Sequence, residues 1–394
     1  DTFRAWYPLM TIINPDKSRD WIYSLYEGYK QGGLLPKWSL TGNYTGTMVG
    51  YPALSLFADA VTKGLADSIP GELLEAAITS ASWQPEWHEK HKGTRALNVM
   101  PEHIMYKESI GFVPVDKCSE SVSWGLEMAY YDWCLARIAD HLGENRIAEE
   151  WYGKGLYYMN YYDSSTGFMR ARNSYGNWYS GFNPNYSSHE RSEYTEGNAW
   201  QWTPFVPHDI GGLQELMGGK EEMGVWLDTL FTTESIIEGE HASGDITGLI
   251  GQYAHGNEPS HHVAYLYNYT DRPWRTGEIV DSILYNFYLP SPEGIIGNED
   301  CGQMSAWYIL SALGFYQVAP GDPVYDAGRP VVEGARIRTG NGWFTIKTHN
   351  NSRENKYIEK MVLNGRVLSE PRFRHEDIKT GGMLEFYMDN EPML

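Results

Sequence analysis

Four loop segments gather the acidic, imidazole and amide side chains that could perform a reaction. In Tyr194-Thr195-Glu196-Gly197-Asn198-Ala199-Trp200-Gln201-Trp202 a carboxyl is surrounded by aromatic rings. Rings strip water from a carboxylate, which raises its pKa and keeps its proton on, the condition a general acid requires. The same glutamate also suits the first turn of a helix, where the backbone dipole favours acidic residues. In Gly297-Asn298-Glu299-Asp300-Cys301-Gly302-Gln303, Glu299 or Asp300 is fit to stay ionised and act as a base toward water. Asp300, three residues before Gln303, equally matches a capping box. An acid and a base flanking one sugar bond is the general plan of glycoside hydrolysis.

The third segment, His255-Gly256-Asn257-Glu258-Pro259-Ser260-His261-His262, crowds potential metal ligands. It is not HExxH, so zinc protease chemistry is disfavoured. The oxygens of Asn257 and Glu258 suit a hard cation such as calcium. A hydrogen-bonded loop in which the histidines orient their neighbours fits the same residues, and a zinc hydrolase using His255, His261 and His262 is the remote alternative. The fourth segment joins Asp1-Thr2-Phe3-Arg4 with Gly33-Leu34-Leu35-Pro36-Lys37-Trp38.

The elements that must position these loops are mostly helical. Apolar residues recur at helical spacing over 16–30, 48–65, 123–142, 145–158, 199–217, 222–231, 273–288 and 303–313. Gly143, Gly218-Gly219 and Gly314 supply C-terminal stops. Helical hairpins in series, with functional loops gathered at one end, predict a mainly α fold, an (α/α)6 toroid or barrel, over residues 1–325. From about residue 326 the texture changes. Residues 335–339 and 343–347 alternate at period two around Asn341-Gly342, and 361–363 and 366–368 flank Asn364-Gly365. Asn-Gly between alternating runs signals a hairpin, so residues 326–394 read as a small antiparallel β layer packed on the barrel.

Composition narrows the ligand. Aromatic residues make up 14% of the 394 positions, with 15 Trp and 29 Tyr. That excess suits clefts in which sugar C–H faces stack on rings, although helix packing also uses many rings. The net charge of −20 argues against nucleic acid and anionic membrane surfaces. No apolar run reaches the roughly 20 residues of a membrane span. Three cysteines, Cys118, Cys134 and Cys301, provide no disulfide framework. The opening at Asp1, with no initiator Met, reads as a processed chain or a piece of a longer protein.

At the quoted segments the chain resembles glycoside hydrolase family 92, the calcium-dependent exo-acting α-mannosidases. The likeness runs from DTFR and GGLLPKWSLTGNYTGTMVGYPA through SVSWGLEMAYYDWCLA to EGNAWQWTPFVPHDIGGLQELMGG, GQYAHGNEPSHHVAYLYNY and GNEDCGQMSAWYILSALGFYQVAPG. The resemblance implies hydrolysis of terminal α-mannose with inversion, in a secreted, periplasmic or other extracytoplasmic setting. It implies Glu196 as general acid and Asp300 as general base, separated by about 6.5–9.5 Å to admit a water. Glu299 is the alternative base, because some relatives carry an acidic residue where this chain has Asn298. Calcium would contact the mannose 2- and 3-hydroxyls, held by Asn257, Glu258 and Asp300. Asp1, Asn257, Glu258, His255, Trp200 and Asn298 would bind the sugar, with Gln201 and His208 nearby. Members of the family also carry an N-terminal β-sandwich domain that supplies part of the sugar pocket. A carbohydrate-binding protein without catalysis, built on the same barrel, is the alternative.

Overall fold

The computed structural model describes residues 1–190, 192–340 and 342–392. Its contacts group into two units. One contains Asp1–Ser18, Ile210–Glu234 and the chain from Asp245 onward; the other contains Arg19–Asp209 and Ser235–Gly244.

The second unit is built around the Ser121–His141 helix, which is buried on nearly every face. A helix apolar all round belongs inside a helical layer, and Ala53–Thr62, Pro70–Ala81 and Asn145–Gly155 pack against it. Its Gly125 is obligatory, because a Cβ there would fall 2.0 Å from the Tyr161 hydroxyl. That hydroxyl accepts from the Val113 amide at 2.7 Å. The same helix buries an ion pair: Lys107 Nζ donates to both Asp132 oxygens, at 3.1 and 2.9 Å, and to the Tyr51 hydroxyl at 3.0 Å. Burial pushes the Asp132 carboxyl up and the Lys107 amine down, so each is held charged chiefly by the other.

In the first unit Trp274–Asn286 packs on the 3-10 segment Val263–Tyr269 and on Gln303–Leu313, which also contacts Trp6–Ile13. The Gln303–Leu313 helix ends at Gly314, left-handed at φ 95°, as its C-terminal glycine predicts. Beyond it lies a five-stranded sheet, in spatial order Arg366–Val367, Tyr357–Leu363, Gly382–Asp389, Gly342–His349 and Gly334–Thr339. Both expected hairpins are there. Asn364 and Gly365 have φ of 51° and 81°, the two positive values of a type I′ turn; Asn341 of the other turn lies outside the described residues. Pairing is antiparallel except between Gly342–His349 and Gly382–Asp389, which run parallel.

Two differences from the sequence reading have local causes. The single helix expected over 199–217 is two, Ala199–Trp202 and Ile210–Met217, because Pro204 and Pro207 lack the amide hydrogens that continuity needs. Trp6–Ile13, Pro70–Ala81 and Glu102–Ile110 are helices not marked by periodicity. Among the described residues no helix is long and apolar enough to cross a membrane.

Replacing Asp132 with Ala should lower the unfolding free energy by about 3–5 kcal/mol, since it strands a buried ammonium. A urea midpoint equal to that of the wild type would show that the pair contributes nothing.

Candidate active site

In the first unit, two loops meet through glycine. A Cβ on Gly297 would fall 2.3 Å from the Gly256 carbonyl oxygen, and one on Gly256 would fall 1.9 Å from Thr247 Oγ1. Only bare backbone allows this approach, and it brings the loop of residues 255–258 against that of residues 297–300. Glu258 starts the 3-10 turn Glu258–Ser260 and is buried. Asp300 is exposed and opens a left-handed run, Asp300, Cys301 and Gly302, at φ 49°, 58° and 101°. Three such residues in succession are costly unless their surroundings hold them. Glu299 does so. It receives the Gly302 amide at 2.6 Å and the Ser305 amide at 3.3 Å, and thereby caps the Gln303–Leu313 helix. The capping expected of Asp300 thus falls to its neighbour.

Gln303 serves the N-terminal segment instead. Its Oε1 accepts the amides of Ala5 and Trp6 at 2.8 and 3.1 Å, while the Tyr316 hydroxyl donates to the Arg4 carbonyl at 2.7 Å. Arg4 pairs with the Asp1 carboxylate. The result is a convergence of three acids: carboxylate oxygens of Asp1, Glu258 and Asp300 all lie within 4.8 Å of one another. Like charges this close disfavour joint ionisation. Burial first, and the Asp300 charge second, push the Glu258 carboxyl up to about 8. Its Oε1 is buried without a hydrogen-bond partner among the described residues. A divalent cation answers both conditions. Calcium takes carboxylate oxygens at about 2.3–2.6 Å, and oxygens within 4.8 Å of one another are close enough to share one ion. Asn257, next in sequence to Glu258, is buried as well.

His255 and His261 are not available as ligands. His255 bonds the hydroxyls of Tyr253 and Tyr288 through its two ring nitrogens, both at 2.8 Å. His261 uses its two on Gln303 Nε2 at 3.0 Å and the His255 carbonyl at 3.2 Å. Burial holds His255 neutral, with its pKa lowered to about 3. These rings therefore brace the loop, as the hydrogen-bonded reading of the motif has it. Asn298 is exposed and donates to Asp245 at 3.1 Å.

The second unit carries Glu196, half-buried and left-handed at φ 49°. Its loop is pinned to the start of the Ser121–His141 helix: the Val122 amide donates to the Glu193 carbonyl at 3.0 Å, and the Thr195 amide to Ser123 Oγ at 2.8 Å. Trp202 Nε1 donates to the Thr195 carbonyl at 2.8 Å. Asn198 caps the helix that follows, reciprocally with Gln201, so the carboxyl of Glu196 is not needed for capping. Trp200 is fixed by Asn185 Oδ1 at 2.8 Å and by an edge contact with Phe168. His208, its pKa lowered by burial to about 4, bonds the Gly155 carbonyl.

The model of the glycosyl hydrolase family 92 catalytic domain matches residues 1–390. The family GH92 alpha-mannosidase BT3965 from Bacteroides thetaiotaomicron is 35% identical, with a TM-score of 0.89 over 100% of this chain and 50% of its own. Its complex with mannoimidazole superposes at 0.91. The family GH92 inverting mannosidase BT2199 of the same organism is 34% identical, with a TM-score of 0.87 over 100% of this chain and 53% of its own. An uncharacterized secreted glycosidase of Arthroderma benhamiae is 25% identical over 94% of this chain and 49% of its own length. The chain thus spans about half the length of the relatives it matches, and shares with the solved ones a mainly α, (α/α)6 catalytic fold carrying small β-sheets. It belongs to glycosyl hydrolase family 92.

Proposed function

We propose that this chain is the catalytic portion of an inverting exo-α-mannosidase that removes terminal α-linked mannose from glycans. The observation that carries the reading is the meeting of Asp1, Glu258 and Asp300, three acids that include a buried oxygen with no hydrogen-bond partner among the described residues. The names of the similar enzymes, an α-mannosidase and an inverting mannosidase, support the same substrate and outcome.

Asp1, Glu258 and Asp300, with the Asn257 oxygen, would hold the calcium ion. Once bound, that ion supplies positive charge that orients the mannose 2- and 3-hydroxyls and favours a distorted ring. Asp300 takes a proton from the water that attacks the anomeric carbon. Glu196 gives its proton to the glycosidic oxygen as that bond breaks, so one C–O bond forms as another is lost. Glu299, engaged by two backbone amides, positions Asp300 and is not free to replace it. Trp200 offers a ring to the sugar, Asn298 and Asp1 offer polar contacts, and His255 keeps the Asn257–Glu258 loop in place.

In this reading residues 1–325 are the catalytic barrel and 326–394 a β region packed on it. A β-sandwich domain precedes the barrel in the whole protein, for which the half-length coverage of the solved relatives is support. The secreted description of the fungal relative supports an extracytoplasmic location.

Hydrolysis of an aryl α-mannoside and of mannobiose should require calcium and cease in EDTA. Glu196→Gln should lower kcat/KM on mannobiose by about 10²–10⁴, and NMR should find β-mannose as the first product. Undiminished turnover in EDTA, or by Glu196→Gln, would overturn the mechanism; binding without turnover would mark a carbohydrate-binding protein instead.

The raised Glu258 carboxyl gives a second test, made without metal. Its folded pKa, about 8, lies above its usual 4.5, so the folded state holds a proton that the unfolded chain releases. The contribution of Glu258 to stability is then largest below pH 4.5 and falls as pH rises toward 8, by at most roughly 1.4 kcal/mol per pH unit. Glu258→Gln should flatten this fall in urea titrations, and an unchanged slope in that variant would refute the assignment.

A further inference from the structure

The two loops that meet through Gly256 and Gly297 touch backbone to backbone. Such contact limits how near they come and supplies no pull. Glu258 and Asp300 on these loops bring carboxylate oxygens within 4.8 Å, and like charges push them apart. A bond that draws the loops together offsets that push. We propose that Asp245 supplies it. By accepting from Asn298, Asp245 ties the loop of Asp300 to the hairpin that leads to Glu258, and is a positioning residue for the acid cluster. The role of that cluster as a cation site rests on the function proposed above.

Residues 245–256 form one hairpin. Leu249–Ile250 pairs with Tyr253–Ala254. The pairing continues through the His255 amide on the Gly248 carbonyl at 3.1 Å and the Gly256 amide on the Thr247 carbonyl at 3.0 Å. The turn end is anchored. The Gln252 amide donates to the Leu230 carbonyl at 2.8 Å, and Gln252 Nε2 to the Glu234 carbonyl at 2.8 Å. A Cβ on Gly251 would fall 2.2 Å from the Leu230 carbonyl oxygen. At the open end one arm runs on to Glu258, and the other begins at Asp245, where the chain returns to this unit. There Asp245 Oδ1 accepts from Asn298 Nδ2 at 3.1 Å. The same arm lies against both loops, since a Cβ on Gly248 would come to 3.1 Å from Ile296 and 3.3 Å from the Gly256 nitrogen. Paired along its length and fixed at its turn, the hairpin passes a pull on Asp245 to the arm that leads to Glu258.

The residue types suit the task. An amide at 298 donates to the Asp245 carboxylate without adding a like charge. Residue 298 is thus held to the hairpin, while the Gly302 amide is held by Glu299 at 2.6 Å, so the backbone of Asp300 is fixed on both sides. A site held in its binding geometry before the ligand arrives binds more tightly, because less is spent on ordering it.

Hydrogen exchange on metal-free protein, with calorimetry of calcium chloride binding, tests this. Asp245→Ala should speed amide exchange at 255–256 and 297–302 alike and weaken calcium about three- to tenfold, the order of one hydrogen bond. Asn298→Ala, which removes no charge, should match it, and the double variant should lose no more than either single one. Asp245→Asn keeps an acceptor oxygen without the charge and should recover most of the loss. Unchanged exchange at 297–302 in Asp245→Ala, additive losses in the double variant, or an Asp245→Asn as weak as Asp245→Ala overturns the positioning role. So does faster exchange with calcium affinity intact. A wild type that binds no calcium counts against the proposed ion site, and exchange alone then decides whether Asp245 ties the loops.

Discussion

Crowding of negative charge is the constraint on which the catalytic geometry depends. Asp1, Glu258 and Asp300 come from the chain's first residue, a 3-10 turn and the loop before the Gln303–Leu313 helix, yet their oxygens converge within 4.8 Å. Left alone they repel, and the fold must hold them there by other means. It does so with backbone contacts. The Gly256–Gly297 approach sets the two loops, Glu299 fixes the left-handed run that begins at Asp300, and Gln303 anchors the N-terminal segment by two amides. Each device spends an acid, an amide or a missing side chain on holding the three carboxylates together.

Neighbouring residues of one type have been given separate tasks. Glu299 and Asp300 adjoin in sequence, but one satisfies helix amides and the other faces outward. Glu258 shares its loop with His255 and His261, whose ring nitrogens are all engaged. In the other unit Asn198 takes over helix capping, two residues after Glu196, and the Thr195 amide and carbonyl beside it are both bonded. In both loops a nearby polar group meets the demand for helix capping.

Much of this was legible beforehand, for reasons that differ by element. The Gln303–Leu313 helix carries strong apolar spacing and a glycine stop, and its bounds came out as expected. The β-hairpins were marked by Asn-Gly. Trp6–Ile13 escaped notice because it is apolar on most faces and shows no stripe. The strand Gly382–Asp389 did alternate, burying Leu384, Phe386 and Met388, and that signal could have found it. The carboxylate loops were visible as motifs, and their roles came from family likeness. What no motif states is that Asp1 reaches Glu258 and Asp300, a contact across some 250 to 300 residues made by Arg4, Gln303 and two glycines. Nor does residue type tell Glu299 from Asp300, since only the direction of nearby amides separates them.

The glycine seam has a consequence for which ion the acids can accept. The backbones that carry Glu258 and Asp300 are set by peptide units in contact, which cannot shorten as a rotamer can. Magnesium demands bonds of about 2.0–2.1 Å and tight octahedral order, whereas calcium tolerates longer and less regular ones. If the proposed ion binds there, a frame held by such contacts would favour the larger, less exacting cation, and the two smallest residues in the loops would set the gauge.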